Sequence, residues 1–271
     1  MGRFLLLRKR WRTELPNKGA VFLTWDLFAL LAEESTGRPY EKERMNMTRD
    51  PVCKMGVVFL MPEATAPSEG EYDASHNQRK WDRASLTYDL MTRGEDWRQG
   101  EEKRRLFARI RGKTLLVAVG TGNDLKYLPA GSDIVAIDIS PRMIEQAQAK
   151  AARCAGKITL LPMDAQQLAF PDNAFDTMLT VCTFCSVPNP VQGLKELYRV
   201  LKPDGQLLMF EHVRSKIGPF ALFLDFMTFL TRKFGPDLNR DTVGNMLRAG
   251  FRLRREENVY LDIVKIIEAV K

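Results

Sequence analysis

The residues best placed to do chemistry follow apolar segments that are typical of buried strands. Segment 115–119 leads into Gly120–Gly122, and glycines at a strand-to-helix turn let a ligand approach the backbone closely. The next apolar segment, 134–137, is followed by Asp138, whose carboxylate can accept hydrogen bonds from ribose hydroxyls. Asp138 could instead cap a helix, but Ser140 suits that role better. The spacing therefore predicts a site for a ribose-containing ligand.

Cysteines form a second candidate set. Cys182 and Cys185 have the CxxC spacing of redox and zinc sites, but no second pair or histidine cluster accompanies them. We expect no metal site there, and reduced thiols as in a cytoplasmic protein. Cys53 lies in 50–55, a segment that resembles the opening of the small metal-associated YHS domains with one departure. An N-terminal extension without a metal role is the favoured interpretation.

Alternating strand and helix patterns must position these groups. Strand patterns cover 115–119, 134–137, 157–163, 175–181 and 206–213, helix patterns cover 81–110 (one or two helices), 141–155 and 190–201, and a turn is predicted at 203–205. Such alternation predicts a parallel, doubly wound sheet with helices on both faces. Two further strand patterns within 251–270 are close in sequence, which predicts an antiparallel edge.

Four sequence blocks occur in a fixed order: LLVAVGTGNDLKYLP, IVAIDISPRMIEQAQAKA, MDAQQLAFPDNAFDTMLTV and VQGLKELYRVLKPDGQLLMFEHVRS. Together they resemble the class I methyltransferases that use S-adenosyl-L-methionine (SAM) and yield S-adenosyl-L-homocysteine (SAH). The resemblance is to the quinone-biosynthesis and phospholipid N-methyltransferase type. It implies a Rossmann-like α/β fold with a mostly parallel seven-stranded sheet and an antiparallel C-terminal edge.

The resemblance also implies which residues bind SAM. They comprise the glycine-rich loop, a ribose carboxylate, contacts to adenine, positions facing the methionine part, and a tyrosine on the N-terminal helices. In chain order they are Tyr88, Ala118, Gly120, Thr121, Gly122, Asp138, Ile139, Met143, Asp164, Ala165, Cys182 and Thr183.

Two positions depart from the family pattern. Leu116 stands where an acidic residue usually helps to hold the cationic methionine end, and Ala118 replaces the first loop glycine. We expect Leu116 to weaken SAM binding unless Asp124 or another group substitutes for the missing charge.

The reaction that the resemblance implies makes modest catalytic demands. Methyl transfer from a sulfonium is an in-line displacement, so alignment and desolvation supply much of the rate. A general base is needed only when the acceptor is protonated. The candidates near the carboxyl edge of the sheet are Glu211, His212 and Tyr260. His212 is the natural base, although it could equally be a hydrogen-bonded structural histidine.

The segment 217–234 is rich in phenylalanine and too short to span a bilayer. It could be a buried lid helix over the active site, or an interfacial helix whose apolar face enters a membrane surface. Both interpretations favour a lipid-like or small amphipathic acceptor.

The remaining sequence suggests the domain organisation. Residues 1–75 are predicted to be an N-terminal extension, partly disordered, with one amphipathic helix at 19–34. Residues 76–271 are predicted to be the methyltransferase domain, with cap helices over 76–112. The start has no signal-peptide cleavage pattern, so we expect a cytoplasmic location, with peripheral contact at the inner membrane face through 217–234.

Several functions remain open at this point. The first is methyl transfer to a lipid-like acceptor, with a phospholipid amine favoured over a quinone carbon or a thiol sulfur. Leu116 motivates a non-catalytic binding or assembly protein as an alternative. The net charge of +7 motivates RNA methylation, but the sequence lacks an RNA-binding signature and we expect no nucleic-acid partner.

Overall fold

The computed structural model describes residues 74–215, 240–260 and 262–271, together with Leu222, Phe226 and Asp237. The predicted helix at 19–34, Cys53, most of the predicted extension 1–75 and most of 217–234 lie outside the described residues. None of the described helices has the length and apolarity needed to cross a bilayer.

Strands and helices alternate along the described chain, as the sequence predicts. The helices are α1 (Ala74–Ala84), α2 (Tyr88–Met91), α3 (Glu95–Phe107), α4 (Pro141–Ala151), α5 (Pro190–Val200) and α6 (Thr242–Arg248), with a 3-10 helix at Asn123–Tyr127. The strands are β1 (Lys113–Val117), β2 (Asp133–Asp138), β3 (Lys157–Pro162), β4 (Phe175–Val181), β5 (Leu201–His212), β6 (Arg252–Tyr260) and β7 (Val264–Val270).

The strands form one seven-stranded sheet in the order β3-β2-β1-β4-β5-β7-β6. The first five are parallel, while β7 runs antiparallel to both β5 and β6. The chain progresses outward from β1 to β3 on one side and returns through β4 on the other. The reversal opens a crevice at the carboxyl ends of β1 and β4, where doubly wound sheets bind ligands. The predicted α/β fold and antiparallel edge are confirmed.

The sheet is packed on both faces because side chains of a strand alternate in direction. Leu115 and Val117 of β1 pack in one cluster with Leu194 of α5 and Met246 of α6. Leu116 points the other way, into a second cluster that includes Leu106 and Phe107 of α3 and Ile144 and Ala147 of α4. Burial on both faces explains why the strands of the sheet centre are continuously apolar.

Some predicted boundaries were wrong. The segment 203–205 is not a turn between elements but part of β5. Phe175 pairs with Leu201 while Thr177 pairs with Gln206, so 202–205 bulges within the strand. The helix predicted over 141–155 ends at Ala151.

The first strand and the N-terminal helices also differ from their predictions. Strand β1 ends at Val117, because Ala118 has a left-handed φ of 56°. Residues 81–110 contribute to three helices rather than one or two. Gly94, with a φ of 104°, separates α2 from α3 because a left-handed residue cannot continue an α-helix.

Candidate active site

A cleft that is open to solvent lies at the carboxyl edge of the sheet. Its wall is built from α1, α2, the ends of β1, β2, β3 and β4, and the segments that follow these strands. Ten of the twelve predicted cofactor residues line it: Tyr88, Ala118, Gly120, Asp138, Ile139, Met143, Asp164, Ala165, Cys182 and Thr183. Residues far apart in the sequence therefore meet in one cleft.

The glycine-rich loop follows β1 and forms one side of the cleft. Gly120 has a φ of 56°, and a Cβ added there would lie 3.6 Å from the Tyr88 ring. Gly122 has a φ of 82°, and its Cβ would lie 3.0 Å from Leu125 and 3.1 Å from Ala147. Gly120 therefore keeps the cleft open, whereas Gly122 lets the loop pack against α4.

Thr121 and Gly122 are the two predicted residues that do not line the cleft. Thr121 is fully buried, and its hydroxyl donates to the carboxylate of Asp89 on α2. Thr121 therefore contacts the cap helices through Asp89 rather than lining the cleft.

Asp138 ends β2 and lies almost completely buried in the wall of the cleft. Its carboxylate accepts hydrogen bonds from the backbone N–H of Gly120 and of Ser140, both at 2.9 Å. Burial raises the pKa of Asp138 to about 6, although these two hydrogen bonds oppose the rise. Ser140 is the helix cap, since its hydroxyl accepts from the Met143 N–H at 3.1 Å. Asp138 is therefore not a helix cap: its carboxylate binds the N–H of Gly120 in the glycine-rich loop and lines the cleft.

The cap helices are held over the cleft by polar contacts. Asp82 on α1 accepts from the Ser140 hydroxyl at 2.5 Å. Asp89 on α2 accepts from Asn123 at 3.0 Å and from the Lys150 ammonium at 2.8 Å. These contacts bring Tyr88 against Gly120.

Sequence reasoning missed several lining residues. They are Asn77, Trp81, Val117, Ile137, Met163, Val181, Ser186, Val187 and Pro188. Asn77 and Trp81 lie four residues apart on α1 and so share one helix face. Their spacing was available in the sequence, but the docking of α1 onto the N-terminus of α4 was not.

The chain after β4 is held in a strained conformation. Cys182 has a left-handed φ of 50°, and Thr183 donates its hydroxyl to the Val117 carbonyl at 3.1 Å. Fully buried Glu211 accepts from the Thr180 hydroxyl at 2.8 Å and from the N–H groups of Thr183 and Phe184 at 3.0 and 3.1 Å. Glu211 therefore fixes the backbone that presents Cys182 to the cleft.

The proposed bases are placed differently from the cofactor residues. His212 and Tyr260 lie at the ends of β5 and β6, and neither lines the cleft. Burial lowers the pKa of His212, but interactions with Cys185, Glu211 and Glu95 together outweigh it, so the pKa is raised overall. The roles of His212 and Tyr260 in proton transfer stay predictions.

The cysteines in the described residues are free thiols. Burial raises the pKa values of Cys182 and Cys185. Since the thiolate is the reactive form, both are poor nucleophiles at neutral pH. No group of residues in the described ranges could hold a metal ion.

The cleft fits an adenosine-containing cofactor. Gly120 provides close approach to the backbone, and Asp138 is an acceptor at the end of β2. Ile139 and Met143 offer apolar contact to a base.

Comparisons with known proteins agree with this geometry. A sequence family described as a methyltransferase domain matches residues 115–209. The chain is 30% identical over 171 residues to the ubiquinone/menaquinone biosynthesis C-methyltransferase of Geotalea daltonii, covering 59% of this chain and 71% of that protein. It is 32% identical over 112 residues to a phosphatidylethanolamine N-methyltransferase of Cereibacter sphaeroides, covering 41% of this chain and 55% of that protein.

A solved structure from Thermotoga maritima supports the fold. It is a SAM-dependent methyltransferase described as a possible histamine N-methyltransferase, with 20% sequence identity and a TM-score of 0.57. The match covers 71% of this chain and 99% of that chain. The fold and the cleft agree with these relatives, and the chain covers 71% of the Geotalea daltonii protein, to which it is 30% identical. The chain therefore belongs to the class I SAM-dependent methyltransferases, enzymes whose cofactor is SAM.

Proposed function

We propose that the enzyme transfers the methyl group of SAM to a lipid-like or small amphipathic acceptor, with a phospholipid amine as the first candidate. A quinone carbon is the second candidate, because the relatives include quinone C-methyltransferases as well as a phosphatidylethanolamine N-methyltransferase. Both kinds of acceptor are found in membranes.

The observation that carries the proposal lies in the segment 217–234. Leu222 and Phe226 are the residues of this segment that the structure describes, and their side chains are 69% and 60% exposed. Exposed apolar side chains of this kind can insert into a lipid surface. The proposal therefore includes peripheral membrane contact through this segment.

The cap helices add support from the cleft itself. Trp81 and Tyr88 line the cleft, while Leu86 between their helices and Leu90 on α2 are 75% and 58% exposed, and Trp97 on α3 is 80% exposed. Exposed apolar residues near the wall of a cleft suit an acceptor delivered from a lipid surface.

The residues of the cleft have three tasks in this reaction. When bound, SAM supplies a methyl group already activated on a sulfonium. Asp138 holds the ribose, and Cys182 with Thr183 borders the space for the methionine part. Trp81, Val187 and Pro188 exclude water and orient the acceptor for in-line attack. An amine acceptor must also lose a proton, and His212, the base predicted from the sequence, does not line the cleft.

The proposal is tested with methyl-labelled SAM and three acceptors: vesicles of phosphatidylethanolamine and phosphatidylglycerol, a demethylated quinone, and a small aliphatic thiol. We expect label in the phosphatidylethanolamine amine. Label in the quinone alone would replace the first candidate by the second. Label in RNA, added as a fourth acceptor, and in none of the others would contradict the proposal.

A matched pair of variants tests the membrane contact. Leu222→Glu combined with Phe226→Glu should lower methylation of vesicle lipid by about fivefold or more, since charge opposes insertion of these side chains. Its Kd for SAM should stay unchanged. Leu247→Glu is the control, because Leu247 is 50% exposed on α6 and has no proposed role. Equal activity of all three proteins on vesicles would argue against membrane contact through these side chains.

A further inference from the structure

The charges in the wall of the cleft are unevenly distributed. Among the described lining residues, the only charged side chains are those of Asp138 and Asp164, which the sequence assigns to the adenosine end. Near Tyr88 and Cys182 the wall has no charged side chain. Yet SAM carries a net charge of +1 because of its sulfonium, and SAH carries none. A source of negative potential at this end would favour the methyl donor over the product.

A charged cluster around a buried lysine lies close to this part of the wall, next to Phe210, whose carbonyl accepts from the Cys182 N–H at 2.8 Å. Lys103 on α3 is 2% exposed, and its ammonium donates to Glu95 at 2.7 Å and to Asp124 at 3.0 Å. It also lies 5.6 Å from the centre of the Phe210 ring. We call Glu95, Lys103 and Asp124 the Lys103 triad. One ammonium and two carboxylates give the triad a net charge of −1.

The triad acts on the wall of the cleft through space. Burial raises the pKa values of Tyr88 and Cys182, and the charges of Glu95 and Asp124 raise both further. Lys103 lowers the pKa of Cys182 but does not cancel this effect. Two residues that line the cleft therefore sense negative potential from the triad.

Lys103 pairs with both carboxylates from a buried position. Burial alone would lower the pKa of Lys103, but Asp124 and Glu95 raise it overall. Because Lys103 is almost completely buried, these charge interactions are screened less than those between exposed side chains.

We propose that the Lys103 triad makes the enzyme select SAM over SAH, by placing a net negative charge close to the wall formed by Tyr88 and Cys182. Its members are positioning residues, since none of them lines the cleft. The triad thereby substitutes for an acidic side chain in β1, where Leu116 is apolar and buried. Discrimination against SAH also favours exchange of product for fresh donor. The inference concerns the methyl donor and does not depend on the acceptor.

Calorimetric titration of SAM and SAH against the full chain tests the proposal. Glu95→Gln and Asp124→Asn each reduce the net charge of the triad to zero. Each should raise the Kd for SAM about fivefold to tenfold, the size expected for loss of one charge within several ångströms. The Kd for SAH should change less than twofold.

The control is Glu101→Gln, which makes the same chemical change on the same helix. Glu101 is paired with Arg104, and its side chain is 67% exposed. It should leave both Kd values unchanged. Thermal unfolding of every variant checks that it is folded.

A double variant separates net charge from local structure. Glu95→Gln with Lys103→Gln removes the ion pair but restores the charge of −1 on Asp124, and removal of a complete buried pair is often tolerated. It should recover most of the preference for SAM. Equal weakening of SAM and SAH in the single variants, or an unchanged preference in all of them, would overturn the proposal. So would failure of the folded double variant to recover the preference.

Discussion

At the residue scale, Asp138 combines a structural and a ligand-binding role. Its carboxylate accepts from two backbone N–H groups and also lines the cleft. The sequence alone suggests that Asp138→Ala should abolish cofactor binding and leave the fold intact. The structure changes that expectation, because the substitution leaves two N–H groups without this acceptor. A stability loss of about 1–3 kcal/mol should accompany the loss of binding.

The raised pKa of Asp138 predicts a pH dependence of SAM binding. Burial raises this pKa to about 6, and the ionised carboxylate is the better acceptor for ribose hydroxyls. As pH falls from 7 to 5, the Kd for SAM should rise about tenfold. Asp138→Asn should bind SAM more weakly, with a Kd that is nearly constant over this range. Calorimetric titration at each pH measures both, and an equally steep dependence in the variant would assign the titration to another group.

The same shift has a consequence for stability. The pKa of Asp138 is higher in the folded protein than the value of about 3.9 expected for an unfolded chain. The folded state therefore binds more protons between pH 4 and pH 6, and the contribution of Asp138 to stability falls as pH rises through this window.

Ala118 is a second residue whose conformation leads to a prediction. It has a φ of 56°, and left-handed backbone costs about 1–2 kcal/mol for a residue with a Cβ. Ala118→Gly should therefore raise the free energy of unfolding by about 0.5–1 kcal/mol, after allowing for the greater freedom of glycine in the unfolded chain. Urea unfolding measures the change. Ala136→Gly, in β2, is the control and should lower stability; a loss at both positions would show that Ala118 is unstrained.

At the element scale, polar contacts attach α1 and α2, which have no buried residues of their own, to the α/β core. Asp89 on α2 accepts from Thr121, Asn123 and Lys150, and so joins three parts of the chain. The amphipathic patterns in 81–110 predict the helices but not these partners. Hydrogen bonds of this kind depend on which loop faces the helix, and only the tertiary structure decides that.

Asp89→Asn should loosen the cap. Burial opposes ionisation of Asp89, but hydrogen bonds from Lys150 and Thr121 lower its pKa overall. The contacts therefore contribute stability at neutral pH and lose it as pH falls below about 4. In the variant, amide hydrogen exchange over 74–107 should speed up several-fold while the strands keep their protection.

The control for Asp89→Asn is Asp172→Asn. Asp172 is a surface carboxylate paired with Arg199 far along the chain from the cap helices. Its removal should leave exchange in the cap helices unchanged. Uniform acceleration in the Asp89 variant would indicate global destabilisation rather than release of the cap.

At the scale of the whole molecule, one sheet packed on both faces supports the cleft. The strand order places β1 and β4 side by side at the sheet centre, so the loops that follow them share one edge. Leu116 packs into one face and Leu115 into the other. The rigid centre explains how strained residues such as Ala118 and Cys182 can be held at the ligand site.

The sequence by itself determined the alternation of strands and helices, the antiparallel edge and ten of the residues that line the cleft. Apolar runs and glycine placement are local properties that burial and backbone freedom impose on the chain. It did not determine that Asn77 and Trp81 reach the cleft, that 202–205 bulges within β5, or that His212 lies outside the wall. Nor did it reveal that Lys103 brings Glu95 and Asp124 together. These features depend on which helix docks on which strand end, a long-range contact that no local pattern encodes.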